Sequence, residues 1–330
     1  MRFRLAASAA MVACASAASA QSPDPKCPGG TLAQQAVQDA CQQAIDLFNY
    51  MRPQLGLAIA GGNTTLGQGG TLGGLPHFTL SIRANIFPGT VPQPQPTSTG
   101  GAQQRLNYPT TNTPLGLPAF DAAVGVFKGI PLGVSNVGGI DLLLSASYVP
   151  KISADNVSVE PDTPVQVGYG ARIGVIQESL LMPGIGVSVL RRGLPKTTIT
   201  GTVQGTAGTD TLQVADLDLK TTSWRLTASK SLLLLSLAAG VGQDKYDAST
   251  TVKAIVHGPP LIGRQTASPS VSGDMTRTNY FADLSLNLLV LKIIGEVGMT
   301  SGGTVTTFNE FDKKADASRA YGSVGVRIGF

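Results

Sequence analysis

The stretch Phe78-Thr79-Leu80-Ser81-Ile82-Arg83-Ala84-Asn85-Ile86 decides the fold. Every even position is apolar and every odd position polar, which sorts the side chains onto the two faces of an extended strand. The same period returns further along. Val165, Val167, Tyr169, Ala171, Ile173 and Val175 alternate with Gln166, Gly168, Gly170, Arg172 and Gly174. Trp224, Leu226 and Ala228 alternate with Arg225 and Thr227, and Tyr280, Ala282, Leu284, Leu286 and Leu288 with Asp283, Ser285 and Asn287. The last strand sets Val324, Val326, Ile328 and Phe330 against Ser323, Gly325, Arg327 and Gly329.

A soluble sandwich also alternates. Composition and loop lengths separate the two. Of 330 residues only 13% are charged, about half the share usual for a soluble domain, and the polar rows are rich in Gly and Ser. The connections alternate in length. Ser179 to Pro183, Lys230-Ser231 and Val290-Leu291 are tight, whereas Pro88 to Pro118, Leu194 to Thr221, Ala248 to Asp274 and Gly302 to Ala317 are long. Tight turns at one rim and long loops at the other are expected of an antiparallel up-and-down transmembrane β-barrel with its turns in the periplasm. The expected strands lie near 77–87, 119–128, 139–149, 164–178, 183–193, 219–230, 232–245, 277–289, 291–301 and 319–330. They make a barrel of about ten strands, with twelve as the alternative; Leu55 to Ala60 could add a further strand, and the loop around Thr197 to Leu219 could extend its hairpin beyond the membrane. No apolar run is long enough for a membrane-spanning helix.

The N-terminal residues address the chain for export. Arg2 and Arg4, the apolar run Leu5 to Ala13 and the site Ala18-Ser19-Ala20 form a secretory signal, residues 1–20, cleaved before Gln21. Met11-Val12-Ala13-Cys14 offers a lipoprotein site as the rival. Cys27 and Cys41 remain, and two cysteines in an exported chain are expected to form a disulfide. Residues 21–76 differ from the barrel, 77–330. Thr31 to Gln34 is a capping box, followed by Val37, Ala40, Cys41, Ala44, Ile45 and Phe48 at helical spacing. Pro53 is expected to stop this amphipathic helix after about twenty residues. The glycine-rich run Gly61 to Gly74 matches neither a phosphate-binding loop nor a dinucleotide fingerprint, and reads as a flexible connector that fits close to other backbone.

The C-terminal run Tyr321 to Phe330 and the hairpins before it resemble bacterial outer-membrane β-barrel proteins. That resemblance implies residence in the outer membrane, contact with its lipids, and assembly by machinery that reads Val324, Val326, Ile328 and Phe330. A helix and glycine loop ahead of a barrel loosely resemble the plug of the long-chain fatty-acid transporter family, although the Asn-Pro-Ala motif of that family is missing.

By the alternation, Arg83, Arg172, Arg225 and Arg327 point into the lumen, as do Asp141, Asp283 and Glu296. Such charges must be paired or hydrated. They read either as Arg–carboxylate pairs that stiffen the barrel or as a filter for anionic or amphipathic solutes. His77 and His257 have no triad partners at a suggestive spacing and no Gly-x-Ser-x-Gly elbow occurs, so no enzyme and no cofactor is expected. No basic stripe points to nucleic acid. The favoured function is a channel or transporter for small hydrophobic or amphipathic molecules, with a hydrophobic small-molecule ligand. The alternative is a structural or surface-interaction barrel. The helix either plugs the periplasmic end of the lumen, facing its arginines through Asp39 and Asp46, or packs under the barrel rim.

Overall fold

A computed structural model describes residues 22–93, 95–96, 105–154, 156–205 and 207–329. The expected signal segment and Phe330 lie outside the described residues.

Ten antiparallel strands close into a ring. They are β1 (Phe78–Pro92), β2 (Thr110–Phe127), β3 (Gly139–Tyr148), β4 (Val165–Ile176), β5 (Gly184–Gly193), β6 (Thr209–Leu232), β7 (Leu235–His257), β8 (Ser270–Leu288), β9 (Leu291–Ser301) and β10 (Arg319–Gly329). Each pairs with its neighbour in sequence, and β1 closes on β10 from Thr79↔Gly329 to Ile86↔Gly322. Full closure leaves the ring no free edge. The count is ten because Leu55 to Ala60 is helical rather than a further strand.

Five strands, β1, β2, β6, β7 and β8, run past their expected ends at the long-loop rim. β6 and β7 pair from Leu232↔Leu235 up to Thr211↔Ile255, across one irregularity between Ala215 and Asp218. The strand Thr197–Gln204 pairs with the upper part of β6, and Val157–Pro161 pairs with that strand in turn. This raises the wall on one side. The period-two signal thins there because both faces of these extensions are mixed in polarity.

The inner face changes character with height. On β6 the inward residues are Thr221, Ser223, Arg225, Thr227 and Ser229 near the turns, but Leu212, Ala215, Leu217 and Leu219 near the long loops. On β7, Ser236 and Asp244 give way to Ala248, Val252, Ala254 and Val256. That apolar upper wall receives a helix.

The helix α1 (Leu32–Ala60) has 29 residues, about 44 Å at 1.5 Å per residue. The Thr31–Gln34 capping box forms. Its Val37, Ala40, Ala44, Ile45 and Phe48 join Leu212, Leu219, Val252 and Val256 in one core cluster. The apolar stripe thus finds its partner inside the barrel, where the alternation in the mid-strands gave no hint of one.

Pro53 does not end the helix, contrary to expectation. It lies seven residues before Ala60 and is itself buried. Proline inside a helix costs about 3 kcal/mol by losing one backbone bond and crowding the preceding turn. Beyond it Leu57, Ala58, Ile59 and Ala60 are all buried against the wall, and burying large aliphatic side chains contributes about 1.5–3 kcal/mol each. Packing outweighs the break.

Cys27 and Cys41 are bonded, which folds the segment before the helix back along its second and third turns. Both sulfurs are buried beside Val256, Ala267 and Val271. The ring closed by a sequence separation of 14 is expected to contribute about 3 kcal/mol by restricting the unfolded chain. Reduction should therefore lower the unfolding temperature of the N-terminal segment and leave the ring of strands intact. Alkylation of unreduced protein, followed by mass measurement, should find neither thiol free.

At the long-loop rim, Glu310–Phe311 pairs in parallel with Asn107–Tyr108. This strap joins the loop after β1 to the loop after β9. The ring of Phe311 lies 4.4 Å from that of Tyr50 on the helix and 5.5 Å from that of Tyr108.

Candidate functional site

After Gly61 the chain leaves the helix and runs down the polar part of the lumen to the turn rim. All seven expected lumen charges are buried, and all seven reach this segment or the helix end from which it leaves. Arg83 donates to the Gly61 carbonyl at 2.8 Å, Arg225 to Ala60 at 3.2 Å and Arg327 to Leu66 at 2.8 Å. Arg172 donates to the Thr65 hydroxyl at 2.7 Å and the Gln68 carbonyl at 3.1 Å. The acids take the opposite groups. Glu296 accepts from the Asn63 amide at 3.1 Å, Asp283 from Gly67 at 3.0 Å and Asp141 from Leu72 at 3.1 Å.

Three of the arginines also hold a carboxylate at 2.6 Å: Arg83 with Asp121, Arg172 with Asp141 and Arg225 with Asp244. Arg172 and Asp141 face each other directly across β3 and β4. The other two pairs lie on the diagonal, as long side chains on neighbouring strands can.

Sequence reasoning missed Asp121, Asp244 and Arg192, although strand parity carries each. Arg192 follows Arg191, and the outward Val187 and Val189 turn the second of the two inward. Its guanidinium donates to the carbonyls of Ile59 and Gly62 and to the Thr64 hydroxyl at 2.8–3.2 Å. Asn85 adds a bond to Leu57 and Ser229 one from Gly69. An arginine that has spent one edge on a carboxylate still has donors for a backbone carbonyl. The pairs and the grip on the chain are therefore one arrangement.

This segment needs glycine where it grazes the wall. A Cβ on Gly69 would come within 2.6 Å of the Gly184 carbonyl oxygen and 2.8 Å of the Ser229 nitrogen, both backbone atoms that cannot step aside. Gly67 sits at φ +69, a left-handed conformation that other residues adopt at a cost. The run Gly61 to Gly74 is thus a fitted filling, not a loose connector.

Asp39 and Asp46 do not meet the lumen arginines. Asp46 accepts from the backbone of Phe308 and Asn309, from the Asn309 side chain and from Gln42, all at 2.8–3.0 Å. Asp39 accepts from Gln43. Asp46 therefore fastens the helix to the loop between β9 and β10. Burial pushes its carboxyl up to about 6, against the pull of those four bonds. The folded state then binds the proton more tightly than the unfolded chain, so the contribution of this group to stability is greatest below about pH 4 and is lost as the pH rises through about 6. Amide exchange protection at Phe308 and Asn309 should decline over that interval. Asp46→Asn should remove the dependence.

Above the filled lumen, on the side of the helix facing β1, β2 and the raised wall, lies a cavity of about 510 Å³. Leu47, Leu55, Leu117, Val214, Leu217 and Leu219 line it, with Arg52, Gln54, Thr197 and Gln213 among its polar members. Arg52 is buried, and its Nε has no hydrogen-bond partner.

The outer face is the reverse of the lumen. Leu80, Ile82, Ile86, Phe120, Leu142, Leu144, Ile173, Leu226, Leu237, Leu284, Val297 and Val324 all point outward and are exposed. Val326 and Ile328 continue the row on β10, and Trp224 and Tyr280 lie toward its upper edge. The tight turns Leu233-Leu234 and Leu289-Val290 add exposed apolar tips. A closed ring with such a face is stable where lipid, not water, surrounds its belt. The chain is an outer-membrane β-barrel.

The sequence matches no family model and no curated protein. Solved structures similar to it include the attachment invasion locus protein Ail of Yersinia pestis, at 10% identity over 77% of this chain and 98% of that one, TM-score 0.26. The transport unit of the autotransporter AIDA-I from Escherichia coli is 8% identical over 87% and 99%, TM-score 0.33. The Pseudomonas putida toluene transporter TodX is 10% identical over 77% and 88%, TM-score 0.28. At these scores the likeness adds nothing to what the ring and its apolar belt establish. By the usual polarity of such barrels the tight turns face the periplasm and the long loops the cell exterior.

His77 lies at the periplasmic rim with its Nδ1 2.9 Å from the Gly74 carbonyl, and His257 lies at the outer end beside Asp210. Neither shares a site with the other.

Proposed function

We propose that the protein takes up a small hydrophobic or amphipathic molecule from outside and holds it in the apolar cavity beside the helix. The cavity is the observation that carries this reading. At about 510 Å³ and with an apolar lining, it lies in the range of small-molecule sites, about 300–1,000 Å³. Its almost wholly apolar lining suits the hydrocarbon part of an amphipathic guest, and Gln54, Thr197 and Gln213 are the polar groups at hand for the other end. Onward passage requires the filling below to shift. No catalytic step enters this reading. Its partners are the ligand, the surrounding lipid and the assembly machinery that meets Val324, Val326 and Ile328.

Leu55 lines the cavity and is partly buried. Leu55→Trp should fill it and weaken binding of a fluorescent long-chain probe by at least about tenfold, equivalent to 1.4 kcal/mol. Retained gel mobility of the unheated form would show the barrel folded. Equal probe binding by Leu55→Trp and the parent would remove the cavity from the function and leave the surface-interaction barrel in its place.

A further inference from the structure

The course of the chain through the ring fixes where its two ends lie. The first barrel residue, Phe78, and the last described residue, Gly329, stand together at the periplasmic rim, where Thr79 pairs with Gly329. The helix begins at the opposite end. Lys26, just ahead of it, donates to the Ser270 carbonyl at 3.0 Å, at the outer start of β8. Asp46 is held by the outer loop through Phe308 and Asn309.

Between these points the backbone descends once and does not return. Its contacts follow in order. Ala60 and Gly61 meet Arg225 and Arg83, and Gly67 meets Asp283. Thr71 then meets Gln177, and the Gly74 carbonyl bonds to the His77 amide at the lower rim.

We infer that the N-terminal end of the folded chain stands on the cell surface, having passed through its own barrel. Ser22 is exposed at that end. The segment from Ser22 to Cys27 is thereby presented outside, so the filled barrel displays its own N-terminal end in addition to any uptake. The grip on the threaded segment suits that role. Arg83, Arg192, Arg225 and Arg327 bind main-chain carbonyls, so they hold a strand of chain by its backbone.

The test is sidedness on intact cells. A short epitope placed between Gln21 and Ser22 should bind antibody without permeabilisation. In a second measurement, a chain carrying Cys27→Ser and Cys41→Ser would receive Ser22→Cys, Leu261→Cys or Leu233→Cys. Leu261 and Leu233 are both fully exposed, one in an outer loop and one in a periplasmic turn. A membrane-impermeant maleimide should label Ser22→Cys to the same extent as Leu261→Cys. Leu233→Cys should react only after permeabilisation. If Ser22→Cys behaves like Leu233→Cys, or the epitope is reached only in opened cells, the inference is overturned. Should the epitope block assembly, the cysteine series decides alone.

Discussion

A chain lacking residues 22–72 should give stepwise currents in planar bilayers where the full chain gives none. Barrels of eight strands are just wide enough for their own side chains to fill, and the bore grows with strand number. Ten strands leave room that side chains do not occupy, and here the main chain from Ile59 to Leu72 occupies it. Without that segment Arg83, Arg172, Arg192, Arg225 and Arg327 lose their carbonyl partners, and Glu296 and Asp283 lose the amides of Asn63 and Gly67. Water is the only replacement available to them, and a wetted lumen conducts. The truncated protein should still run as a folded barrel on an unheated gel. A folded truncated form that carries no current would mean the wall closes on itself, and the transport reading would fall with it.

The second large effect is expected from Asp141→Asn. Asp141 is fully buried and accepts two bonds from Arg172 at 2.6 and 3.0 Å. It also receives the Leu72 amide. Removing its charge leaves the Arg172 guanidinium buried without a counter-ion, a change that typically costs about 3–5 kcal/mol. The temperature at which the unheated band converts to the unfolded one should fall accordingly. The pair Asp141→Leu with Arg172→Met should recover most of the loss, because two apolar groups leave no charge to solvate. If the single and double variants are equally unstable, the cost lies in packing around Leu72 and not in the ion pair.

Much of the barrel could be read before any coordinates. Phe78 to Ile86 and Val324 to Ile328 alternate cleanly because one face meets lipid and the other meets polar partners along their whole length. The seven lumen charges followed from the same parity. The helix hid more, since a stripe that buries against a barrel interior looks the same in sequence as one that packs under a rim. Only the apolar inward residues Leu212 to Leu219 and Ala248 to Val256 decide between the two, and they lie in stretches that resemble loops. Pro53 misled because its cost is local, whereas the burial of Leu57 and Ile59 that offsets it depends on distant strands. Gly61 to Gly74 could be read as lying close to other backbone but not as a fixed filling of the lumen, because glycine chosen for close contact and glycine chosen for freedom are spelled alike.

The strap between Asn107–Tyr108 and Glu310–Phe311 bears on how the ring is finished. It bridges the loops nearest the seam where β1 meets β10, the join between the two ends of the barrel sequence. Its two halves are brought together only when that seam has zipped along its height. A barrel still open at β1 and β10 cannot make it, and a finished one cannot part there without breaking it. The strap is a clasp that records completion, and it fastens over the mouth through which the helix stands.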